Sequence, residues 1–270
     1  MRAVASVLAV LAVSSLAWGV RGQSLPLARE AAMVRVGPGT YRPLYPSSAA
    51  EAEVRVKAFL LDRLPVTNGD FVAFVRARPE WQRDRVPGVF ADEGYLSHWA
   101  APAELGANVD ERQPVVRVSW FAAKAYCSAR QARLPAEAEW ELAASASRTR
   151  ADGRDDRAWR EEILAWYSRP NPQRLPLVGS TPANYWGVQD LHGLVWEWVL
   201  DFNSAMLSTD ARRSGDKEGL TFCGGGAINA TDKGNYPSFM RIAFRSSLRA
   251  AYTTHNLGFR CAGDDREVVR

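Results

Sequence analysis

Residues 184–202 read NYWGVQDLHGLVWEWVLDF, and this stretch carries the most structural information in the chain. Aromatic residues are dense here, while neither helical nor strand periodicity is sustained. Trp196 and Trp198 are two positions apart, so in extended backbone they point to one side and Glu197 points to the other. We predict that the two tryptophans hold an irregular loop against the core.

Two acidic residues of the same stretch suggest a metal site. Asp190 and Glu197 flank Gly193, which allows a tight turn between them. Carboxylate oxygens together with the carbonyl oxygens of a turn are ligands that suit Ca²⁺. The alternative is that both carboxylates cap turns and pair with arginines, and the sequence leaves the two interpretations open.

The composition indicates one large domain with a substantial core. The chain has 270 residues, of which 47% are hydrophobic and ten are tryptophan, and this length favours a single large domain. Its 34 basic and 30 acidic residues give a net charge of +4. Because the charges are interspersed, nucleic-acid binding is not expected, and acidic partners are favoured only weakly.

The first 22 residues have the pattern of a secretory signal peptide. Arg2 precedes an apolar stretch over residues 3–18, and Gly19 and Gly22 offer cleavage positions. A membrane anchor is the alternative, but the stretch is short for a membrane span and is interrupted by serines. We therefore predict a periplasmic or secreted protein that has no membrane span after cleavage.

Three helices are predicted in the first half of the chain. Thr67, with an acidic residue three positions later, approximates a capping box for a helix that ends before Pro79. Ser119 is the predicted N-cap of a second helix, and a third covers residues 137–145. Residues 145–160 are charged and poor in bulky apolar side chains, which predicts a surface loop. Short strands are predicted at residues 34–36 and 54–61.

Three blocks of sequence resemble the sulfatase-modifying factor family, also called the formylglycine-generating enzymes. They are residues 118–141, with VSWFAAKAYC and RLPAEAEWE; residues 184–202; and residues 224–262, with RSSLR and NLGFRCA. In this order and spacing, the chain is similar to the family over residues 33–263. The resemblance implies an α+β fold, an elaborated C-type-lectin-like fold with small antiparallel sheets, a few helices and much irregular structure.

The resemblance also implies roles for individual residues. Cysteines at the positions of Cys127 and Cys261 are joined by a disulfide in the family. Arg245, Arg249 and Arg260 are placed like the arginines that line the family's substrate groove. The alternative for these arginines is that they form ion pairs that hold loops.

A calcium site is the second implication of the resemblance. Asp190 and Glu197 would donate their side chains to the ion, and Gly193 and Val195 their carbonyl oxygens. The family pattern before the third helix also has a threonine as N-cap, where this chain has Ala136. Loss of that cap costs about 1 kcal/mol.

The copper chemistry of the family depends on a pair of cysteines that this chain lacks. Counting from Gly224, the two positions hold Asn229 and Gly234, and neither can bind Cu(I) as a thiolate. Cys223 is the cysteine left over. It is either a buried small hydrophobic residue or a reactive or metal-binding thiol.

The three histidines are His98, His192 and His255, and none has the spacing of a zinc or iron motif. If the loops converge, Cys223, His192 and His255 would form a copper-type ligand set. The alternative is that each histidine is an ordinary turn or surface residue.

Three functions are compatible with these observations. A formylglycine-generating oxidase would need two thiols near the glycine-rich loop. An enzyme or copper-handling protein of different chemistry would use Cys223. The function that we expect is an exported, calcium-stabilised module that binds a protein or peptide segment without oxidising it. Such a module would resemble the accessory proteins of copper-enzyme systems.

Overall fold

The computed structural model describes residues 33–44, 52–170, 172, 174–202 and 236–265. The predicted signal peptide over residues 1–22 lies outside the described residues, and so do Cys223, Asn229 and Gly234. None of the described helices is both long enough and apolar enough to cross a membrane.

Small sheets and short helices make up the described chain, with four strands before the first helix, which confirms the predicted α+β class. The strands are β1 (Met33–Val36), β2 (Gly39–Tyr41), β3 (Val54–Val56), β4 (Phe59–Asp62), β5 (Trp196–Glu197), β6 (Leu257–Gly258) and β7 (Ala262–Asp264). The helices are α1 (Asn68–Ala77), α2 (Trp120–Ala129), α3 (Glu137–Ser145), α4 (Arg157–Tyr167) and α5 (Tyr236–Ser247), with a short 3-10 helix at Pro79–Trp81.

The sheets bring distant parts of the sequence together. Strands β1, β4 and β7 form an antiparallel sheet in that order, so the two ends of the described chain share one sheet. Strands β2 and β3 pair antiparallel. Strands β5 and β6 pair in parallel, with Trp196 opposite Leu257. The tryptophan-rich stretch is therefore hydrogen-bonded to the NLGFRCA segment.

Helix α1 begins as predicted. The Thr67 hydroxyl accepts a hydrogen bond from the backbone N–H of Asp70 at 3.2 Å, and the Asp70 carboxylate accepts one from the Thr67 N–H at 3.2 Å. At α2, the Ser119 hydroxyl accepts from the N–H of Ala122 at 3.1 Å. Both N-caps follow from hydroxyl side chains that satisfy free N–H groups of the first turn.

Helix α3 has the predicted bounds but an incomplete cap. Ala136 has no side-chain oxygen to offer the first turn. Glu139 still accepts a hydrogen bond from the Ala136 N–H at 2.8 Å. The helix therefore retains one half of the reciprocal capping box.

The prediction of a loop over residues 145–160 needs a correction at its end, because α4 already begins at Arg157. The Asp156 carboxylate caps this helix by accepting from the N–H of Trp159 at 3.2 Å. Trp159, Ile163 and Trp166 recur at i, i+4 and i+7, which places them on one face. The charged residues 160–162, between Trp159 and Ile163, hid this pattern.

The core is built around aromatic side chains from several elements. The ring centroids of Phe71 and Tyr126 lie 5.7 Å apart, and that of Phe259 is 5.4 Å from Tyr126. Trp198 is fully buried, and its Nε1–H donates to the Val118 carbonyl at 2.9 Å. Trp196 is partly buried and stacks on Phe244 of α5. The two tryptophans thus hold their loop to the core and to α5.

A disulfide joins Cys127 of α2 to Cys261, which directly precedes β7. The two cysteines are 134 residues apart in the sequence, and both side chains are fully buried. The bond fixes α2 to the three-stranded sheet.

Candidate functional site

An open cleft with a volume of about 850 Å³ lies beside the tryptophan-rich stretch. Four segments contribute most of its walls, and Asn68, His98 and Met240 complete the described lining. The segments are the loop at residues 108–117, the end of α4 with the segment that follows it at residues 166–176, the turn into β5 at residues 193–196, and residues 255–256 before β6.

The charge of the cleft walls has one sign. Arg117, Arg169 and Arg174 line the cleft, and no Asp or Glu is among its described lining residues. Arg169 and Arg174 are exposed, and Arg117 is half-buried. Within the part of the chain that the structure describes, no carboxylate lies within ion-pair distance of these guanidinium groups.

Local backbone geometry fixes the position of Arg117. Its φ of 55° lies in the left-handed region, where a side chain other than glycine is strained. Two backbone hydrogen bonds hold it there: the Arg117 N–H donates to Thr254 at 3.0 Å, and the Leu96 N–H donates to Arg117 at 2.9 Å. Strained backbone of this kind persists where the surrounding structure determines it fully.

Aromatic rings form part of the cleft wall. The centroids of Trp166 and Trp196 are 6.1 Å apart, and those of Tyr167 and Trp196 are 5.7 Å apart. Gly193 turns the chain beside them with a φ of 101°. A Cβ atom at Gly193 would lie 3.2 Å from Trp166, so glycine permits both the turn and the close approach of the ring.

His98 lines the cleft as a neutral residue. Burial, together with the nearby guanidinium groups of Arg117 and Arg83, lowers its pKa to about 4. Neither ring nitrogen has a hydrogen-bond partner among the described residues. At neutral pH His98 therefore adds no positive charge to the cleft wall.

Arg245, predicted to bind substrate, is instead an internal ion-pair residue. It is only 5% exposed, and its Nη1 lies 2.7 Å from Oε1 of Glu141. Its guanidinium group also lies over the Trp140 ring, 4.7 Å from the centroid. The expectation of a groove arginine is corrected here, because the side chain is buried and already paired.

Glu141 also accepts two hydrogen bonds from Arg241, at 2.9 and 2.7 Å. Burial acts to raise the pKa of Glu141, but the guanidinium groups of Arg241 and Arg245 outweigh it and hold the pKa at about 2. One carboxylate thus bridges two arginines of α5 and attaches this helix to α3.

Arg260 is likewise removed from any substrate. It is fully buried, and its guanidinium group donates to both carboxylate oxygens of Glu197 at 2.8 and 2.7 Å. The Nε1–H of Trp140 donates to the same carboxylate at 2.7 Å. This forked ion pair was the alternative interpretation of both Arg260 and Glu197.

Asp190, a predicted calcium ligand, is already hydrogen-bonded within the protein. Its carboxylate accepts from the Gly179 N–H, and from the N–H and hydroxyl of Thr181 at 3.0 and 2.9 Å. Glu197 is meanwhile neutralised by Arg260, whose charge would repel a cation. The predicted set of Asp190, Gly193, Val195 and Glu197 therefore does not fit Ca²⁺, and turn capping with arginine pairing describes the two carboxylates.

Arg249 is the exposed member of the predicted arginine set. Its guanidinium group lies 5.5 Å from the centroid of Tyr252. It is not among the residues that line the cleft. The three predicted arginines thus do not meet in one groove.

The two histidines of the hypothetical copper cluster line different cavities. His192 contacts the Ala144 carbonyl at 2.9 Å, and burial together with Arg241 lowers its pKa to about 4. His255 lines the cleft, which does not include His192. Cys223 lies outside the described residues. Within those residues, no group of three or more His, Cys, Asp or Glu side chains could hold a metal ion.

Our sequence analysis did not predict the cleft arginines, although the local charge distribution contains a signal for two of them. The chain has no acidic residue between Glu162 and Asp190, and the only charged residues there are Arg169 and Arg174. Both stand within a proline-rich run. A local excess of positive charge was thus hidden by the balanced composition of the whole chain.

The comparisons with known proteins identify the family. Residues 22–265 match the sulfatase-modifying factor enzyme 1-like domain, and the chain belongs to this family. The chain is 29% identical to Inactive C-alpha-formylglycine-generating enzyme 2 of Bos taurus, covering 78% of each protein. It is 30% identical to the formylglycine-generating enzyme of Streptomyces coelicolor, again covering 78% of each.

A solved structure, that of CarF, covers 86% of this chain and 97% of its own, with 19% identity and a TM-score of 0.45. The relatives include proteins named as active and proteins named as inactive. The names alone therefore assign no activity to this chain.

Proposed function

We propose that this chain is an exported member of the sulfatase-modifying factor family that binds a peptide segment of another protein without oxidising it. The observation that carries the proposal is the pair of residues at the family's copper-binding positions, Asn229 and Gly234. An amide side chain and a glycine supply no thiolate, and the family's chemistry needs two.

The remaining cysteines support the absence of this oxidation. Cys127 and Cys261 are consumed in a buried disulfide. Cys223 is then a single thiol, which cannot reproduce a site of two thiolates. A copper-handling role through Cys223 is the competing proposal, and elemental analysis beside a Cys223→Ser variant tests it, because bound copper would disappear with the thiol.

The cleft supports peptide binding. Its aromatic wall offers apolar contact area, and Asn108 and Asn256 line the same cleft. A primary amide has both donors and an acceptor, so it can pair with either polar group of a peptide backbone. Apolar walls with a few polar groups are the usual composition of binding clefts.

The disulfide and the N-terminal pattern together support export. A buried disulfide of this sequence span is typical of proteins that fold in an oxidising compartment. The partner would then be a periplasmic or secreted protein. The proposal does not include stabilisation by calcium, because the predicted ligands do not fit the ion. The melting temperature should therefore be the same before and after treatment with EDTA.

The experiment is a selection of random dodecapeptides on the full chain produced in an exporting host. We expect peptides to be enriched by the wild-type chain and to be lost with Asn108→Trp, which places an indole in the cleft. Val89→Trp is the matched control, because Val89 is 70% exposed and does not line the cleft. Failure to enrich any peptide, or equal enrichment by Asn108→Trp, would contradict the proposal.

A further inference from the structure

Two sets of arginines differ in whether a carboxylate pairs with them. Arg241, Arg245 and Arg260 are buried, and each lies 2.7 Å from a glutamate oxygen. The cleft arginines, Arg117, Arg169 and Arg174, have no such partner within the described ranges. Asp110, which follows the cleft residue Val109 in the sequence, forms an ion pair with Arg112 at 3.5 Å. A hydrogen bond from the Arg112 N–H lowers its pKa, and the positive charges of Arg112 and, more weakly, Arg174 contribute to this lowering.

Three guanidinium groups that lack a direct ion pair among the described residues give the lining of the cleft a positive charge. A concave site with low-dielectric walls concentrates the field of such charges, and Trp166, Tyr167 and Trp196 supply such walls here. Guanidinium groups also present paired N–H donors that match the two oxygens of a carboxylate. Arginine is therefore suited to recognise carboxylates by geometry as well as by charge.

We infer that the cleft selects acidic peptide segments, with Asp or Glu side chains placed against Arg117, Arg169 and Arg174. The inference rests on the proposed function, that a peptide binds in the cleft, and adds the chemical class of that peptide. Peptides rich in Lys or Arg would be rejected, because they would meet three like charges and no carboxylate of the described cleft wall.

A peptide is favoured over a nucleic acid as the source of the negative charge. The net charge of the chain is only +4, and acidic residues are interspersed among the basic ones. Nucleic-acid binding proteins typically carry an extended basic stripe that follows the phosphates. The described lining of this cleft contributes three arginines, which is too few for such a stripe.

The test compares the composition of the selected dodecapeptides with that of the input library. We expect the wild-type pool to be enriched in Asp and Glu and depleted in Lys and Arg. The most enriched peptide, made synthetically with a fluorophore, should bind about tenfold more weakly to Arg169→Gln/Arg174→Gln. Its affinity for the wild-type chain should also fall as salt is raised.

Arg157→Gln/Arg160→Gln is the matched control, because both arginines are exposed on α4, outside the cleft, and the change in net charge is the same. The control should bind within about twofold of the wild type. Both arginines of the test variant lie in an exposed loop, so we expect it to fold, and its melting temperature checks this.

The possible results separate the two proposals. If Asn108→Trp abolishes a selection that shows no acidic preference, peptide binding stands and the acidic class is overturned. If no peptide is selected at all, both proposals fail. Binding of labelled oligothymidylate as tightly as the acidic peptide would overturn the assignment to a peptide.

Discussion

Glu141 is a buried carboxylate that pairs with two arginines at once. Its carboxylate is 4% exposed and lies within hydrogen-bond distance of two buried guanidinium groups. Removing one partner of a buried ion pair leaves the remaining charges uncompensated. Replacing one carboxylate oxygen of Glu141 therefore weakens the attachment of α5 to α3.

We predict that Glu141→Gln lowers the free energy of unfolding by about 3–5 kcal/mol, because Arg241 and Arg245 would remain buried with reduced compensation. Urea denaturation measures the effect. The control is Glu161→Gln, whose exposed pair with Arg157 should contribute no more than about 0.5 kcal/mol. A loss at Glu141 as small as that of the control would contradict the role of the ion pair.

The pKa values of two histidines predict how stability depends on pH. Burial lowers the pKa of His98 and of His192 to about 4, below the usual 6.5. Between these values the unfolded chain binds more protons than the folded chain, so stability is full above pH 6.5 and falls as the pH drops towards 4.

Thermal unfolding at several pH values between 7 and 4 should show this fall. The His98→Phe/His192→Phe variant should show a flatter profile across the same window. The Glu141 carboxyl group, whose pKa is held at about 2, contributes below pH 4.5 only and so does not obscure the comparison. A wild-type melting temperature that stays constant from pH 7 to pH 4 would refute the prediction.

Among the elements, the helices show where sequence reasoning succeeds and where it fails. The N-caps Thr67 and Ser119 are local signals, since a hydroxyl and the N–H it satisfies are three residues apart. The sequence predicts a loop over the start of α4, because the charged residues 160–162 separate Trp159 from Ile163. An N-cap signal is thus easier to detect in a sequence than the periodicity of a narrow buried helix face.

The missing cap of α3 gives a prediction for an element. Ala136 is already in extended backbone, the conformation that an N-cap requires, and Glu139 already accepts from its N–H. Ala136→Ser should complete the capping box and raise the free energy of unfolding by about 1 kcal/mol. Ala136→Val, which adds bulk and no acceptor, is the control. A serine that gains no more than valine would count against this assignment.

For the whole molecule, the disulfide is the longest covalent constraint in the described chain. It closes a loop across a sequence separation of 134 residues. We predict that Cys127→Ser/Cys261→Ser lowers the free energy of unfolding by about 4–5 kcal/mol, because the unfolded chain regains the entropy of the open loop. Denaturation with and without a reductant measures it: the reductant should affect the wild type only. Equal stability of variant and wild type would contradict this prediction.

The fold was predictable from sequence in a way that the site was not. Three blocks in a fixed order identify the fold, because their residues form the β5–β6 pair and supply Tyr126, Trp198 and Phe259 to the aromatic core. The roles of Arg245 and Arg260 depend on ion pairs to Glu141 and Glu197, more than 60 positions away in the sequence. No spacing rule reveals such contacts, so buried structural arginines resembled binding residues, while the cleft arginines went unnoticed.

The chain belongs to the family over residues 22–265 but has Asn229 and Gly234 at the positions of the two thiols. The most direct test is therefore whether it oxidises a cysteine. The full chain, supplied with copper and a reductant, is incubated with a cysteine-containing peptide that the Streptomyces coelicolor formylglycine-generating enzyme converts, with that enzyme as the positive control. Mass spectrometry then detects formylglycine. We predict that the cysteine stays unmodified. Conversion at a rate comparable to that of the control enzyme would contradict a binding module and assign an oxidase to this chain.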